Sequence, residues 1–255
     1  MDWEAFLRAN GLDRYDRIAR IYPALLCLLP IFVVVTLWLP QVWTLLGGVT
    51  SLVLACGLIF YLAQLVRYRG RQVEKQLGRK VGRAKTAVLL SHADPHIPAD
   101  TKARYHRYLR DHGISIPDKG SETSDPVAAD QAFRSAVDWL LEHTRPNAKA
   151  SLLYNENIAY GFRRNLMGLK PIAVVLILLA LAANTYFILT SNRHSRMVAA
   201  IVVELFLLVA LGGWLYEIRS AFVEDASLAY AQRFLAQCEQ MEPPLRPKRP
   251  KKAPR

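Results

Sequence analysis

Histidines and an aspartate are concentrated in a short polar stretch of this 255-residue chain. His92, Asp94 and His96 alternate along it, and imidazole nitrogens and carboxylate oxygens are the ligands that zinc-type metals prefer. The stretch therefore predicts a candidate metal site. The alternative is that Asp94-Pro95 begins a turn and that the histidines are hydrogen-bonded or lie at an interface. No H-E-x-x-H or C-x-x-C pattern accompanies the stretch, so we expect no cofactor unless these residues hold a metal.

A second group of residues suited to recognition lies between positions 156 and 164. Glu156, Tyr160, Arg163 and Arg164 occur there within three helical turns. Guanidinium groups form paired hydrogen bonds with phosphate or carboxylate, and an aromatic ring beside them can stack on a base. These residues are a candidate site for a nucleotide-like anionic ligand. The alternative is that the arginines, with Lys170, contact lipid headgroups beside the apolar run that follows.

Glu204 is the single charged residue within four long apolar runs. The runs are Ile21–Leu39, Val42–Val66, Pro171–Thr190 and Val198–Tyr216. About 20 apolar residues at 1.5 Å per residue span the roughly 30 Å hydrocarbon core of a bilayer. Four such runs predict an integral membrane protein, although the chain carries a formal net charge of +12.

The depth of Glu204 in the membrane follows from the short connection between the last two runs. Pairing Thr190 with Met197 across this turn brings Glu204 close to Asn184. A carboxyl group at that depth is costly unless it is paired, protonated or beside water. Glu204, Asn184 and Thr185 are therefore candidates to line a pore or a proton route. The alternative is a hydrogen bond that serves helix packing only.

The distribution of basic residues predicts the orientation of the chain. The segment after the second run has one acidic residue, Glu74, and eight basic ones: Arg67, Arg69, Arg71, Lys75, Arg79, Lys80, Arg83 and Lys85. The outer turns hold only Arg193, His194 and Arg196 as basic or titratable residues. Because basic residues collect on the cytoplasmic side, we expect a multi-pass protein of the bacterial inner membrane with both termini in the cytoplasm.

The predicted fold is all-α: two transmembrane helical hairpins flank a small, mainly helical cytoplasmic domain. The expected segments are an interfacial amphipathic helix (1–20), a hairpin (21–66, with spans 21–39 and 42–66), the cytoplasmic domain (67–170), a second hairpin (171–216, with spans 171–190 and 198–216), a cytoplasmic helix (217–242) and a disordered polybasic tail (243–255).

Capping residues and apolar spacing predict three helices in the cytoplasmic domain. One runs over Asp125–Thr144 with Asp125 as its N-cap, and one runs from Asp100 to His112 before Gly113. A third, about Ala148–Met167, leads into the third span. The stretch Pro117–Ser124 reads as a polar loop.

Two patterns indicate contacts with other helices, and one indicates contact with lipid. Gly47, Ser51 and Ala55 form a small-residue stripe that allows close helix approach, and Ala221, Leu228 and Leu235 share heptad spacing. We therefore expect a homo-oligomer or a membrane-protein partner. The tail after Glu242 has six basic residues and no acidic one. Its expected partner is the anionic lipid surface of the bilayer, rather than nucleic acid.

Two short motifs carry a resemblance to known proteins. At Thr101–His106 and Glu156–Leu166 the chain resembles a group of uncharacterised bacterial multi-pass inner-membrane proteins. Its layout is similar to that of the four-span effector proteins of anti-phage signalling systems. The resemblance implies a membrane effector and assigns no catalytic residue.

These observations lead to one main hypothesis and two alternatives. The main hypothesis is a non-enzymatic membrane protein whose cytoplasmic domain senses a ligand or partner and changes the state of the membrane helices, as a pore-type or defence effector would. One alternative is an assembly or scaffold subunit of a membrane complex. The other is a membrane-tethered, metal-dependent hydrolase built on His92, Asp94 and His96.

Overall fold

The computed structural model describes residues 13–40, 49–144, 152–191 and 194–239. Within these ranges the regular structure is entirely helical and contains no strand, which confirms the prediction of an all-α chain. The helices are α1 (Asp16–Trp38, with a π-helical start over Asp16–Ile21), α2 (Val49–Leu77), α3 (Gly82–Leu90), α4 (Ala99–Asp111), α5 (Lys119–Ser124), α6 (Pro126–Thr144), α7 (Leu152–Thr190), α8 (Met197–Tyr216) and α9 (Ser220–Leu235).

Three of the described helices are long and apolar enough to cross a membrane. They are α1, α7 and α8, whose most apolar windows have mean hydropathies of 2.3, 2.5 and 2.4. The predicted second span, 42–66, begins outside the described residues, and α2 carries the rest of it. The polybasic tail, most of the N-terminal interfacial helix and Gly47 also lie outside the described residues, as do the side chains of Ser51 and Ala55.

The chain divides into two compact units. The first, here called the span unit, comprises Met1–Gly78 and Asn155–Ser227. Its described part contains α1, α2, α8 and most of α7. Apolar side chains from these helices form two clusters: one surrounds Val66, Ala173 and Ile177, and the other surrounds Ala180 and Leu207. All five of these residues are completely buried.

The second unit, here called the polar unit, comprises Arg79–Tyr154 and Leu228–Arg255. Its core contains Leu109 from α4 and Leu140 from α6, together with Phe234 and Leu235 from α9. The predicted domain, 67–170, does not include these α9 residues. The second half of α9 therefore completes the core of this unit.

Local structure differs from the sequence-based expectations at three places. The expected loop Pro117–Ser124 contains α5, because the Asp118 carboxylate caps it by accepting a hydrogen bond from the backbone N–H of Ser121 at 2.7 Å. The expected helix 217–242 is interrupted, since α8 ends at Tyr216 and α9 begins at Ser220. Ala221, the first residue of the predicted heptad, is exposed, whereas Leu235 is buried.

Candidate functional site

Three apolar helices of the span unit meet at one buried polar network. Asn184 on α7 lies at its centre and is completely buried. Its side-chain nitrogen donates to the carboxylate of Glu204 at 2.7 Å and to the backbone oxygen of Ala200 at 2.9 Å, both on α8. Its side-chain oxygen accepts a hydrogen bond from the indole nitrogen of Trp38 on α1, 2.8 Å away.

The second carboxylate oxygen of Glu204 also has a partner. It accepts a hydrogen bond from the Thr185 hydroxyl at 2.9 Å. The structure therefore brings together all three predicted intramembrane residues, Glu204, Asn184 and Thr185, and adds Trp38. Glu204 is half-buried and Thr185 is exposed, so the network reaches from the bundle interior to its surface.

A further contact joins two of the same helices near this network. The Arg196 guanidinium, immediately before α8, donates to the backbone oxygen of Leu37 at 2.5 Å. Leu37 is in the last turn of α1, where backbone carbonyls lack partners within the helix. Arg196 is a basic residue of the predicted outer turn, and this contact gives it a structural role.

Of the four predicted anion-binding residues, Tyr160 and Arg164 lie together, whereas Arg163 is directed at other partners. Arg164 is directed at Glu74 on α2, with 2.8 Å between nitrogen and oxygen, and its guanidinium lies over the Tyr160 ring. Arg163 donates to the backbone oxygen of Phe222 at 3.2 Å and stacks over that ring. Among the described residues, no ion pair joins Glu156 to either arginine. The two guanidinium groups therefore have separate partners within the protein.

Glycines allow α2 and α7 to approach closely beside Arg164. A Cβ at Gly168 would lie 2.7 Å from the backbone carbonyl carbon of Arg69, which is shorter than a van der Waals contact. Asn165, completely buried one turn earlier on α7, donates to the backbone oxygen of Ala19 at 2.6 Å. Residues around Arg164 thus join α1, α2 and α7, which is a packing role.

The structure does not assemble the predicted metal site. His92 makes a hydrogen bond from Nε2 to the Pro117 backbone oxygen at 3.1 Å, whereas Nδ1 of His96 lies 3.1 Å from the Asp94 carboxylate. Within the described ranges, no group of three histidine, cysteine, aspartate or glutamate side chains could hold a metal ion. The three side chains are therefore not arranged around a common point, because one ring nitrogen of His92 contacts Pro117 whereas one of His96 contacts Asp94.

The loop that carries these histidines is held by α4 and α5. The buried Lys102 ammonium donates to the backbone oxygens of Ser91 and Asp94, the latter at 2.7 Å. The Glu122 carboxylate accepts from the Ser91 hydroxyl and from the backbone N–H of His92 at 2.9 Å. Burial of its ammonium lowers the pKa of Lys102 below its ordinary value.

His106 is the most deeply buried of the described histidine side chains. It is 2% exposed, and its Nε2 lies 2.8 Å from the backbone oxygen of Leu90. Burial disfavours the charged imidazolium and lowers the pKa of His106 to about 4. The imidazole is therefore neutral near pH 7, with Nε2 as the donor and Nδ1 as a free acceptor.

A cavity of about 620 Å³ lies in the polar unit between this loop and α4. Its lining includes His92, Asp94, Lys102, His106, Arg107 and Arg110. The sequence analysis missed Lys102, Arg107 and Arg110, although their spacing on an amphipathic helix was an available signal. Lys102, His106 and Arg110 repeat every four residues and so lie along one stripe of α4.

Comparison with known proteins adds no assignment. No protein-family model matches the chain, and no match to a curated protein or a solved structure was found. The resemblance to uncharacterised inner-membrane proteins, from two motifs, and to anti-phage effectors, from the layout, therefore remains a prediction.

Proposed function

We propose that the chain is a non-enzymatic multi-pass protein of the bacterial inner membrane. In this proposal the polar unit lies in the cytoplasm and senses a ligand or partner, and the response is a change in the arrangement of the membrane helices. Three apolar helices support the membrane assignment. The eight basic residues of 67–85 and the sparse charge of the outer turns support the orientation.

The observation that carries the proposal is the network around Asn184. Polar side chains within a membrane are costly and tend to mark functional positions. This network includes at least one residue from each of three helices, so a shift of any helix must break or exchange a hydrogen bond. A hydrogen-bond network of this kind suits a bundle with two discrete arrangements of its helices, because packed interfaces switch between arrangements rather than deform continuously. Glu204 is the member whose charge would influence a polar path.

A flux measurement on the full chain tests this proposal. The protein is reconstituted in liposomes with a potassium gradient, and dye leakage and membrane potential are recorded for wild type, Glu204→Gln and Glu204→Leu. We expect the wild type to conduct and Glu204→Gln to fold normally but lose flux, because the ionisable group is gone. Glu204→Leu should also lose stability, since Asn184 and Thr185 lose a partner.

Glu217→Gln is the matched control, because Glu217 is an exposed acidic residue just after α8 and outside the network. It should conduct as wild type does. Unchanged flux in both Glu204 variants would refute the conducting role. The scaffold alternative would then be favoured, with the network serving only to hold α1, α7 and α8 together.

A further inference from the structure

The wall of the 620 Å³ cavity in the polar unit presents unpaired basic groups. Arg107 and Arg110 are exposed on α4 and line the cavity. Neither guanidinium group makes a hydrogen bond or an ion pair with another residue in the described part of the chain. Of the other five arginines of this unit that the structure describes, four pair with aspartate or glutamate: Arg79, Arg83, Arg104 and Arg134. The two cavity guanidinium groups are therefore available to an anion from outside.

A buried ammonium adds to this charge at the same wall. Lys102 is 4% exposed, and its two backbone carbonyl partners leave one N–H of the ammonium for another acceptor. The acidic groups of the lining are Asp94 and Asp111. Asp94 already contacts His96 and lies 4.0 Å from Lys85. The cavity wall thus carries three basic side chains and two carboxylates, and one of these carboxylates, Asp94, already has partners within the protein.

The neutral imidazole of His106 gives the cavity a hydrogen-bond acceptor in addition to its basic groups. Its Nε2 is engaged with Leu90, and Nδ1 makes no hydrogen bond to a described residue. A ligand that fits this wall would place acceptor oxygens near the guanidinium groups and an O–H or N–H donor near His106. The cavity volume lies within the range of small-molecule sites, roughly 300–1,000 Å³.

We propose that this cavity binds a small phosphorylated ligand of mononucleotide size, with its phosphate on Arg107 and Arg110 and a hydroxyl or N–H group toward His106. Guanidinium groups suit this role because their planar donors match phosphate oxygens in pairs. The assignment names a ligand class for the sensing unit and so rests on the proposed function. It assigns recognition to α4 rather than to Arg163 and Arg164, which have partners within the protein.

Binding to the purified full chain in detergent tests the assignment. Calorimetric titration would use four probes: inorganic phosphate, pyrophosphate, adenosine monophosphate and adenosine. We expect the nucleotide to bind at least tenfold more tightly than phosphate or adenosine, since it alone offers both a phosphate and a donor-bearing base and ribose. Binding should weaken as salt increases, because screening weakens exposed charge pairs.

A pair of double variants separates the site from general charge. Arg107→Gln with Arg110→Gln should lower nucleotide affinity at least tenfold. Arg83→Gln with Arg134→Gln removes the same charge from two exposed arginines outside the cavity lining, and it should leave affinity within twofold of wild type. Equal losses in both double variants, or no nucleotide binding by wild type, would overturn the assignment.

The liposome assay with added nucleotide distinguishes this assignment from the proposed function. Binding that is lost in the cavity variant, together with flux that never responds to nucleotide, would retain the site and refute the sensing role. Flux that depends on Glu204 without any nucleotide binding would retain the conducting role and refute the site.

Discussion

The indole nitrogen of Trp38 lies 2.8 Å from the side-chain oxygen of Asn184 and donates a hydrogen bond to it, although 146 positions separate the two residues. Trp38 is the last residue of α1, and its ring also stacks on Phe187 with 5.2 Å between centroids. The hydrogen bond and the stacking together set the level at which α1 ends against α7. Asn184 in turn donates to α8, so one amide aligns all three helices.

Trp38→Phe tests how much this hydrogen bond contributes to stability. The variant keeps an aromatic ring against Phe187 but leaves the Asn184 oxygen without its donor. We expect the free energy of unfolding to fall by about 0.5–2 kcal/mol, the range for a hydrogen bond between membrane helices. Reversible unfolding in mixed detergent, followed by fluorescence or circular dichroism, measures the change.

Trp214→Phe is the matched control for this substitution. Trp214 is also a buried tryptophan of the span unit, 8% exposed, and makes no indole hydrogen bond to a described residue. Its substitution removes the same ring volume without breaking a polar contact. Equal stability losses in the two variants would show that ring packing alone, and not the bond to Asn184, is responsible.

Gly168→Ala tests the close approach of α2 and α7. The added methyl group would lie 2.7 Å from the Arg69 carbonyl carbon and 3.0 Å from the backbone nitrogen of Gly70. Because these are backbone atoms, the helices must separate, and we expect a loss of about 1–3 kcal/mol, as is typical of overpacking. The same unfolding measurement in detergent detects it.

For Gly213→Ala on α8 we expect no loss of stability. A Cβ at Gly213 would meet no described atom within 4 Å. Because alanine favours helix over glycine by up to about 1 kcal/mol, this variant should be as stable as wild type or more stable. A Gly168→Ala variant with wild-type stability would contradict the contact between α2 and α7.

The sequence predicts contacts best where they are local or follow from a hairpin. The Glu204–Asn184 pair was expected from the register of the last two spans, because a short turn fixes the relative depth of its two helices. Trp38 could not be added to that pair, since its contact depends on how α1 packs against α7. The stripe Gly47, Ser51 and Ala55 was visible in the sequence, whereas the approach at Gly168 was not, because its partner lies on another helix.

The polar unit illustrates a different limit. The sequence drew attention to the histidines and suggested a metal, because residue type alone does not show which way each imidazole is directed. Folding buries His106 as a neutral side chain and gives the guanidinium groups of Arg107 and Arg110 no partner among the residues that the structure describes. Helix α5 was missed since its sequence, K-G-S-E-T-S, has no apolar periodicity. Its N-cap, Asp118, was the one local signal.

The burial of His106 predicts a specific pH dependence of stability. Its pKa falls from an ordinary 6.5 to about 4 in the folded protein, so the unfolded chain binds a proton in a range where the folded chain does not. Stability is therefore fully present above about pH 6.5 and falls as the pH decreases toward 4. The loss from this residue reaches at most about 3 kcal/mol. Thermal unfolding between pH 7.5 and 4.5 measures the slope.

His106→Gln separates this contribution from every other pH-dependent contribution in the protein. The glutamine side-chain nitrogen can occupy the position of Nε2 and donate to Leu90, yet it cannot take up a proton. The variant should therefore lose less stability than wild type when the pH falls from 7.5 to 4.5. His143→Gln is the control, because His143 is exposed on α6, and it should keep the wild-type slope. Parallel pH profiles of His106→Gln and wild type would show that burial does not lower the pKa of His106.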